Sequence, residues 1–429
     1  MSRRDIAVTG VGLITAAGTD AVTSWQGVCS GVSTAAIDPE LGDVPVPLAC
    51  RVPDFDAAAV LGRAVWRTDR FVHLALAAAH QAVTDAGLDT AAWDGARVGV
   101  IVGVGTESKD TSVAALRKYS DHAYETLSPL TVPRSTVNAA AAEICIALGA
   151  HGPSMAVTTA CASGATALGT ARDLLLADRC DIVLAGGTEA PVHPLTSLSF
   201  SQMGALSRRT HDPQGASRPF DRARDGFVLA EGAAILVLER AGDARARRAQ
   251  PRAYFCGYGS STDGYHYAAA HPEGVGFERA FNAALADAGL SETDISHVNA
   301  HGTATVMNDR IEAAALDRLF NGHPPPVTST KGVTGHTLGA AGAIEAALAT
   351  LTLQHQTIPP TANLDQLDPA INLDVVAKQP RPHRMEAVIS NSFGFGGHNA
   401  VLVLRQAQGS THRITGADSH GTTGPIRLR

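Results

Sequence analysis

The stretch Ala156-Val157-Thr158-Thr159-Ala160-Cys161-Ala162-Ser163-Gly164-Ala165 decides how this chain is read. Its β-branched start predicts a strand, its small residues a sharp turn, and the alanine-rich continuation a helix over roughly 163–177. A cysteine at that junction stands at a helix N-terminus. The helix dipole and nearby N–H groups stabilise a thiolate there and lower the thiol pKa. The same amides can receive an oxyanion when a thioester is attacked. Taken alone, the segment fits a buried core cysteine equally well.

Outward from this segment, short β-branched runs alternate with alanine-rich stretches. The strands are predicted at Arg97–Val102, Asp181–Ala185 and Ala233–Leu238, and further helices at roughly 70–86, 275–288, 309–320 and 340–355. This is the pattern of an α/β protein with covered sheets. At 429 residues and 45% hydrophobic content the chain can bury a large core, as two ordinary domains or one duplicated one. The charged run Asp243 to Arg252 reads as an exposed connector, so one half is expected over 1–250 and the other over 251–405. The polar stretch 406–429 is expected to be a disordered tail.

Composition excludes several functions. A net charge of -7 argues against a nucleic-acid partner, whose phosphates demand Lys and Arg. Ile6-Ala7-Val8 is too short for a signal-peptide core and no later apolar run has membrane length, so a cytoplasmic protein without a membrane partner is expected. Six scattered cysteines without a CxxC pair indicate neither a disulfide framework nor a metal site. Thr9-Gly10-Val11-Gly12-Leu13-Ile14-Thr15 begins like a dinucleotide fingerprint but lacks its third glycine and an acidic ribose ligand. A plain tight turn is expected there.

Two histidine segments change the reading of Cys161. Asn299-Ala300-His301-Gly302-Thr303-Ala304-Thr305 follows an apolar run and precedes Asn308-Asp309-Arg310-Ile311-Glu312. Later come Ser329-Thr330-Lys331-Gly332-Val333-Thr334-Gly335-His336-Thr337 and Phe393-Gly394-Phe395-Gly396-Gly397-His398-Asn399. Each sets a histidine among glycines and hydroxyl residues at the mouth of an element. Together with Ala216-Ser217-Arg218-Pro219-Phe220-Asp221, Asp225-Gly226-Phe227-Val228 and Glu231-Gly232, they resemble the β-ketoacyl-carrier-protein synthases, the condensing enzymes of fatty-acid and type II polyketide assembly. The similarity runs from Ile6 to about Leu404.

The resemblance implies a thiolase-like, five-layered αβαβα fold made of two similar halves. It implies Cys161 as the nucleophile that takes an acyl group from the phosphopantetheine of an acyl carrier protein. His301 and His336 would hold the malonyl thioester carbonyl during decarboxylation, and Lys331 would organise the site through a charge pair with Glu312. The N–H groups of Cys161 and Phe395 would form the oxyanion hole, with Phe395 also a gate. Thr303 and Thr305 match positions that bind the pantetheine arm, and Thr106 falls in the region of the acyl pocket. No cofactor or metal is implied, and a homodimer or a heterodimer with a chain-length factor is expected.

Some residues depart from the family's commonest pattern. Ala304 replaces a glycine or serine, and His398 stands where threonine is frequent. Thr106-Glu107 puts a plain saturated-chain tunnel in doubt, because an unpaired buried carboxylate is costly, although Glu107 facing solvent is an equal reading. This pair motivates a polyketide pathway, with housekeeping fatty-acid elongation as the alternative. Arg63, Arg67 and Arg70 form a candidate docking patch for an acidic carrier protein, with Arg208 and Arg209 as a second. A degradative thiolase would need a second cysteine near Gly396-Gly397-His398-Asn399, and a non-catalytic chain-length factor would lack Cys161. A cysteine hydrolase would not need two histidines with a lysine.

Overall fold

The computed structural model describes residues 5–407. Strands β1 (Ile6–Ile14), β2 (Val98–Gly103), β3 (Ser154–Val157), β4 (Ile182–Glu189) and β5 (Gly232–Arg240) form one repeat. Strands β6 (Ala253–Thr262), β7 (His297–Asn299), β8 (Val327–Thr328), β9 (Ala387–Gly394) and β10 (His398–Gln406) form the second. Their spatial order is β8-β7-β9-β10-β6-β1-β5-β4-β2-β3. Read outward from the centre, the first repeat runs 1-5-4-2-3 and the second 6-10-9-7-8, the same topology twice. The directions also match: the first and fifth strands of each repeat are antiparallel, and the last three are parallel. The repeats join where Ile6, Ala7 and Val8 pair with Phe255, Tyr254 and Ala253. The second repeat begins after a short helix at Ala241–Ala246.

Six helices complete the layers: α1 (Arg70–Asp85), α2 (Ala139–Leu148), α3 (Ser163–Leu176), α4 (Val275–Ala288), α5 (Val306–Leu319) and α6 (Ala341–His355). Helices α1 and α2 cover the outer face of the first repeat, while α4, flanked by α5, covers that of the second. Helices α3 and α6 touch each other and strands of both repeats, which makes them the middle layer. The five-layered thiolase-like arrangement expected from the resemblance is therefore present. A helix between two sheets must be apolar all round. Helix α6 meets that demand, with Ala341 to Leu353 buried without a break.

The middle layer depends on small residues. A Cβ added at Gly164 would lie 2.7 Å from Ala343 N, and one at Gly342 would lie 2.8 Å from Ala165 N, so α3 and α6 approach to backbone contact near their N-termini. The expected turn at Gly10-Val11-Gly12 is instead the interior of β1, with an irregularity in register between Val8 and Gly10. Side chains at Gly10 or Gly12 would run into the Ala82 and Ala78 carbonyls, so these glycines let α1 lie close on the sheet. Gln406 is the last residue of β10 rather than the start of a tail; 408–429 lie outside the described residues. No helix among the described residues is long and apolar enough to cross a membrane.

One buried histidine marks a weak point of the core. His297 on β7 is 1% exposed and neither ring nitrogen has a hydrogen-bond partner. Burial, with the nearby His383, lowers its pKa to about 3. Between about 6.5, the ordinary value, and 3 the unfolded chain binds a proton that the native state refuses, so stability falls as pH falls. By pH 4 this group alone removes about 3 kcal/mol. Urea unfolding of the native protein and His297→Leu at pH 7 and pH 4 will show a smaller pH-dependent loss in the variant.

Candidate active site

The turn between β3 and α3 carries Cys161. Ala160 holds a left-handed φ of +50°, and the turn is tied down by Thr159 N–H donating to Ser163 Oγ (2.9 Å) and Ser163 Oγ–H donating to Ala160 O (2.6 Å). Ala162 caps α3, so Cys161 sits one residue ahead of the cap. It opens into a chamber of about 320 Å³ that His301, Thr303, Thr305, His336 and Phe395 also line. The end of β9 lies against the cysteine. A Cβ at Gly394 would collide with Thr159 O and come within 3.2 Å of Cys161 N, so only glycine lets this strand pass.

His301 follows β7 and His336 follows the short helix Lys331–Thr334; their rings meet edge to face, with centroids 5.4 Å apart. His301 also abuts Phe393 at 5.3 Å, and His336 abuts Phe227 at 5.1 Å. Burial holds both imidazoles well below their ordinary pKa, and the Lys331 ammonium pushes the same way. Both are therefore neutral at pH 7. Lys331 Nζ lies 3.5 Å from His301 Nδ1. Because an ammonium can only donate, that contact makes Nδ1 the acceptor and leaves Nε2–H as the donor.

Lys331 is the main correction. Its expected partner Glu312 does not touch it. Lys331 Nζ pairs with Glu345 of α6 and donates to His301 O at 2.6 Å. Glu312 instead accepts from His301 N (2.8 Å), Gly302 N (2.9 Å) and Asn391 Nδ2 (3.1 Å), fixing the backbone that carries His301. The physical reason is geometric: the lysine points toward the middle layer, where Glu345 is the one carboxylate of α6. A lone carboxylate in a helix buried all round needs a buried cation, and that signal was legible at position 345.

The thiol is a second correction. A lowered pKa was expected from the helix terminus, but Cys161 is 7% exposed and burial pushes its thiol up, with Lys331 opposing and Glu189 and Glu345 reinforcing. Desolvation of the thiolate outweighs the helix end, and the resting form is the thiol.

Other expected residues fall outside the chamber. Thr106 does not line it; its hydroxyl donates to the buried Glu189 at 2.8 Å. Glu107 is exposed and pairs with Lys109 at 3.1 Å, the solvent-facing reading. The docking patch also disperses. Arg70 is drawn inward to the fully buried Glu231 (2.6 Å), which demands a cation, and Arg67 pairs with Glu143 (2.7 Å). The Arg63 side chain lies outside the described residues. Arg208 is exposed and Arg209 half-buried, donating to Ala223 O, just past Met203, Gly204 and Ala205 of the chamber rim. Phe200 and Phe227, which sequence reasoning did not single out, line the chamber; Phe200 faces Phe395 at 6.1 Å. The helix of Phe200 carries no motif that marks it, whereas Phe227 stands in the stretch Asp225-Gly226-Phe227-Val228 that the family resemblance includes.

Removing one member of the buried pair leaves the other unpaired, at a cost of about 3–5 kcal/mol. Glu345→Ala will therefore lower urea-derived stability by about that amount, whereas Glu107→Ala will shift it by less than about 0.5 kcal/mol.

Comparison with known proteins agrees with this geometry. Residues 3–244 match the model of the β-ketoacyl synthase N-terminal domain and residues 252–365 that of the C-terminal domain. A 3-oxoacyl-[acyl-carrier-protein] synthase 2 of Synechocystis is 39% identical over 415 residues, 95% of this chain and 99% of the relative. Among solved structures, the ishigamide ketosynthase/chain length factor superposes with a TM-score of 0.88 at 33% identity, covering 95% of this chain and 100% of the other. A type II polyketide ketosynthase in complex with its acyl-carrier protein, bound to the hexaketide, gives 0.87 at 30% identity over 94% and 100%. With the Cys161 turn and paired histidines in one chamber, and both family domains matched in order, the chain belongs to the β-ketoacyl synthase family.

Proposed function

We propose that this chain catalyses decarboxylative Claisen condensation between a malonyl-carrier protein and an acyl group held on Cys161. The observation that carries this reading is the convergence of Cys161, His301 and His336 on one buried chamber. In the first half-reaction Cys161 Sγ attacks the thioester carbonyl of the acyl carrier protein. The pantetheine C–S bond breaks, and the thiol proton passes through a neutral imidazole to the departing sulfur. In the second, the malonyl C–C bond breaks and carbon dioxide leaves. The electron pair becomes an enolate, whose oxygen accepts from His301 Nε2–H and from His336. The enolate carbon attacks the acyl-Cys161 carbonyl, the C–S bond breaks, and Cys161 is reprotonated. N–H groups of Cys161 and Phe395 cradle the oxyanion of that step, and Thr303 and Thr305 receive the pantetheine arm. Drawn this way, the reaction calls on no metal or redox cofactor.

The pathway is read as type II polyketide assembly, supported by the type II polyketide ketosynthase and the ketosynthase/chain length factor among the similar structures. Saturated fatty-acid elongation is the second reading, favoured by the printed name of the curated relative. A second chain, identical or a chain-length factor, would add to the free edge of β3, where Met155, Ile146 and Val132 are exposed. Carrier-protein docking is assigned to Arg208 beside the chamber rim.

Intact-mass spectrometry after incubation with acyl-carrier proteins will show acylation of the native protein and none of Cys161→Ala. His336→Ala will still acylate but condense about 10²–10³-fold more slowly, the cost of one oxyanion donor. An unmodified native protein, with or without a partner chain, would refute the reading. Products formed by a stable homodimer that are exclusively saturated fatty acyl chains would refute the polyketide part. Arg208→Glu will raise the KM for the carrier protein; an unchanged KM removes Arg208 from the docking site.

A further inference from the structure

One wall of the chamber is built by the helix Pro194–Gln202 and the turn after it, since Phe200, Met203, Gly204 and Ala205 all line the cavity. This is a weak helix. Thr196, Ser197, Ser199 and Ser201 fill much of it, and Ser and Thr favour caps and turns over helix interiors. Ser199 Oγ–H donates back to Leu195 O at 2.8 Å, a contact that competes with the helix ladder. Thr196 Oγ is buried and has no hydrogen-bond partner among the described residues. Ser197 Oγ–H ties the middle of the helix to Val46 O at 2.7 Å, which leaves the first turn to its cap.

That cap is a histidine. His193 has an extended backbone, and its ring Nδ1 accepts from Leu195 N–H at 3.1 Å. Caps are ordinarily Ser, Thr, Asp or Asn, whose oxygens accept at neutral and mildly acid pH alike. An imidazole accepts only while Nδ1 carries no proton. Once protonated, both ring nitrogens donate, and a cation stands at the positive end of the helix dipole. His193 is half-buried, and burial lowers its pKa from the ordinary value. On the helix Lys109–Ser120, Asp110 favours the charged ring, while Arg117 and Lys109 oppose it. From the stretch after Cys50, Arg51 donates to the Val192 carbonyl at 3.4 Å and pairs with Asp38 and Glu40. The cap therefore holds above the His193 pKa and is lost as pH falls through it.

Phe200 carries the state of the cap into the site. Its ring meets Phe395 at 6.1 Å and Phe227 edge to face at 5.4 Å, and Phe227 in turn abuts His336 at 5.1 Å. We propose that His193 positions Phe200 through this cap, so that the chamber wall is firm while the ring is neutral and frays when the ring gains a proton, slowing acyl transfer to Cys161. His193 does not line the chamber; it is a positioning residue that makes acylation sensitive to acid from outside the site. The proposal rests on the condensing-enzyme reading of Cys161.

The test compares the native protein, His193→Asn and His193→Ala at pH 7 and pH 5. Asn Oδ1 takes the place of Nδ1 and accepts at both pH values, so that variant keeps the cap and loses the titration. One readout is acylation by octanoyl-carrier protein, followed by intact mass. The other is hydrogen exchange of the amides of residues 195–203, corrected for its intrinsic pH dependence. Other groups that titrate in this range, such as Glu189 and Glu345 at about 7, are common to both proteins and cancel in the native-to-Asn ratio. A cap is worth about fivefold in the local opening equilibrium, so native protection will fall by about that factor from pH 7 to pH 5, relative to His193→Asn. The native-to-Asn ratio of acylation rates will fall by about twofold to fivefold. His193→Ala will show at pH 7 the low protection that the native protein shows at pH 5. A merely structural cap would slow His193→Ala at both pH values and leave the native-to-Asn ratios flat; a flat ratio in either readout would overturn the proposal. Failure of the condensing-enzyme reading looks different: the native protein stays unmodified at both pH values, and this role of His193 falls with it whatever the exchange shows.

Discussion

Backbone contact between two helices organises this molecule. Each repeat of the fold contributes one helix to the middle layer, and the duplication brings their N-termini side by side, with Gly164 against Ala343 and Gly342 against Ala165. The residues just ahead of those termini belong to the candidate site. Cys161 precedes α3, while Lys331 and His336 precede α6. A side chain at Gly164 or Gly342 would push the two helices apart, and with them Cys161 and His336. Equivalent positions in the two repeats carry different groups, a thiol in one and an imidazole in the other.

Burial then sets the electrostatics. Cys161, His301, His336, Lys331, Glu312 and Glu345 all lie within the core, where charge is costly unless paired. The ammonium of Lys331 is held by Glu345 and the His301 carbonyl, which makes it affordable and aims it at His301 Nδ1. Burial, reinforced by that charge, keeps both imidazoles neutral, so they can act as hydrogen-bond donors rather than cations. A neutral donor suits an enolate, because its hydrogen bond strengthens as negative charge develops on the oxygen. The same desolvation holds Cys161 as a thiol, so an attack by its sulfur would require proton transfer in the same step.

The outer parts of the site answer to other demands. Arg70 stands in a basic helix start yet serves the buried Glu231, the residue directly before β5. Thr106 stands near the chamber yet serves Glu189. In both cases a buried carboxylate outbids an exposed role, because leaving it without donors costs more than any surface contact returns. The rim of Met203, Met307 and Arg208 and the edge of β3 are among the exposed parts able to meet partners.

Local pattern was enough for much of this. The ranges of α1, α3, α4 and α6 follow from alanine-rich periodicity, and the settings of Cys161, His301 and His336 follow from small residues at element mouths. These depend on neighbours in sequence, so the amino-acid order determines them. Glycines at 10 and 12 misled in that respect, since a strand packed under a close helix needs the same residue as a turn. Partner choice was decided only in three dimensions. Lys331 takes Glu345 rather than Glu312, Arg70 takes Glu231, and Glu189 takes Gly105, Thr106 and Gly339. Each joins segments that the chain order separates, and which charge meets which depends on where layers pack and which side chains lose water, a property of the folded whole.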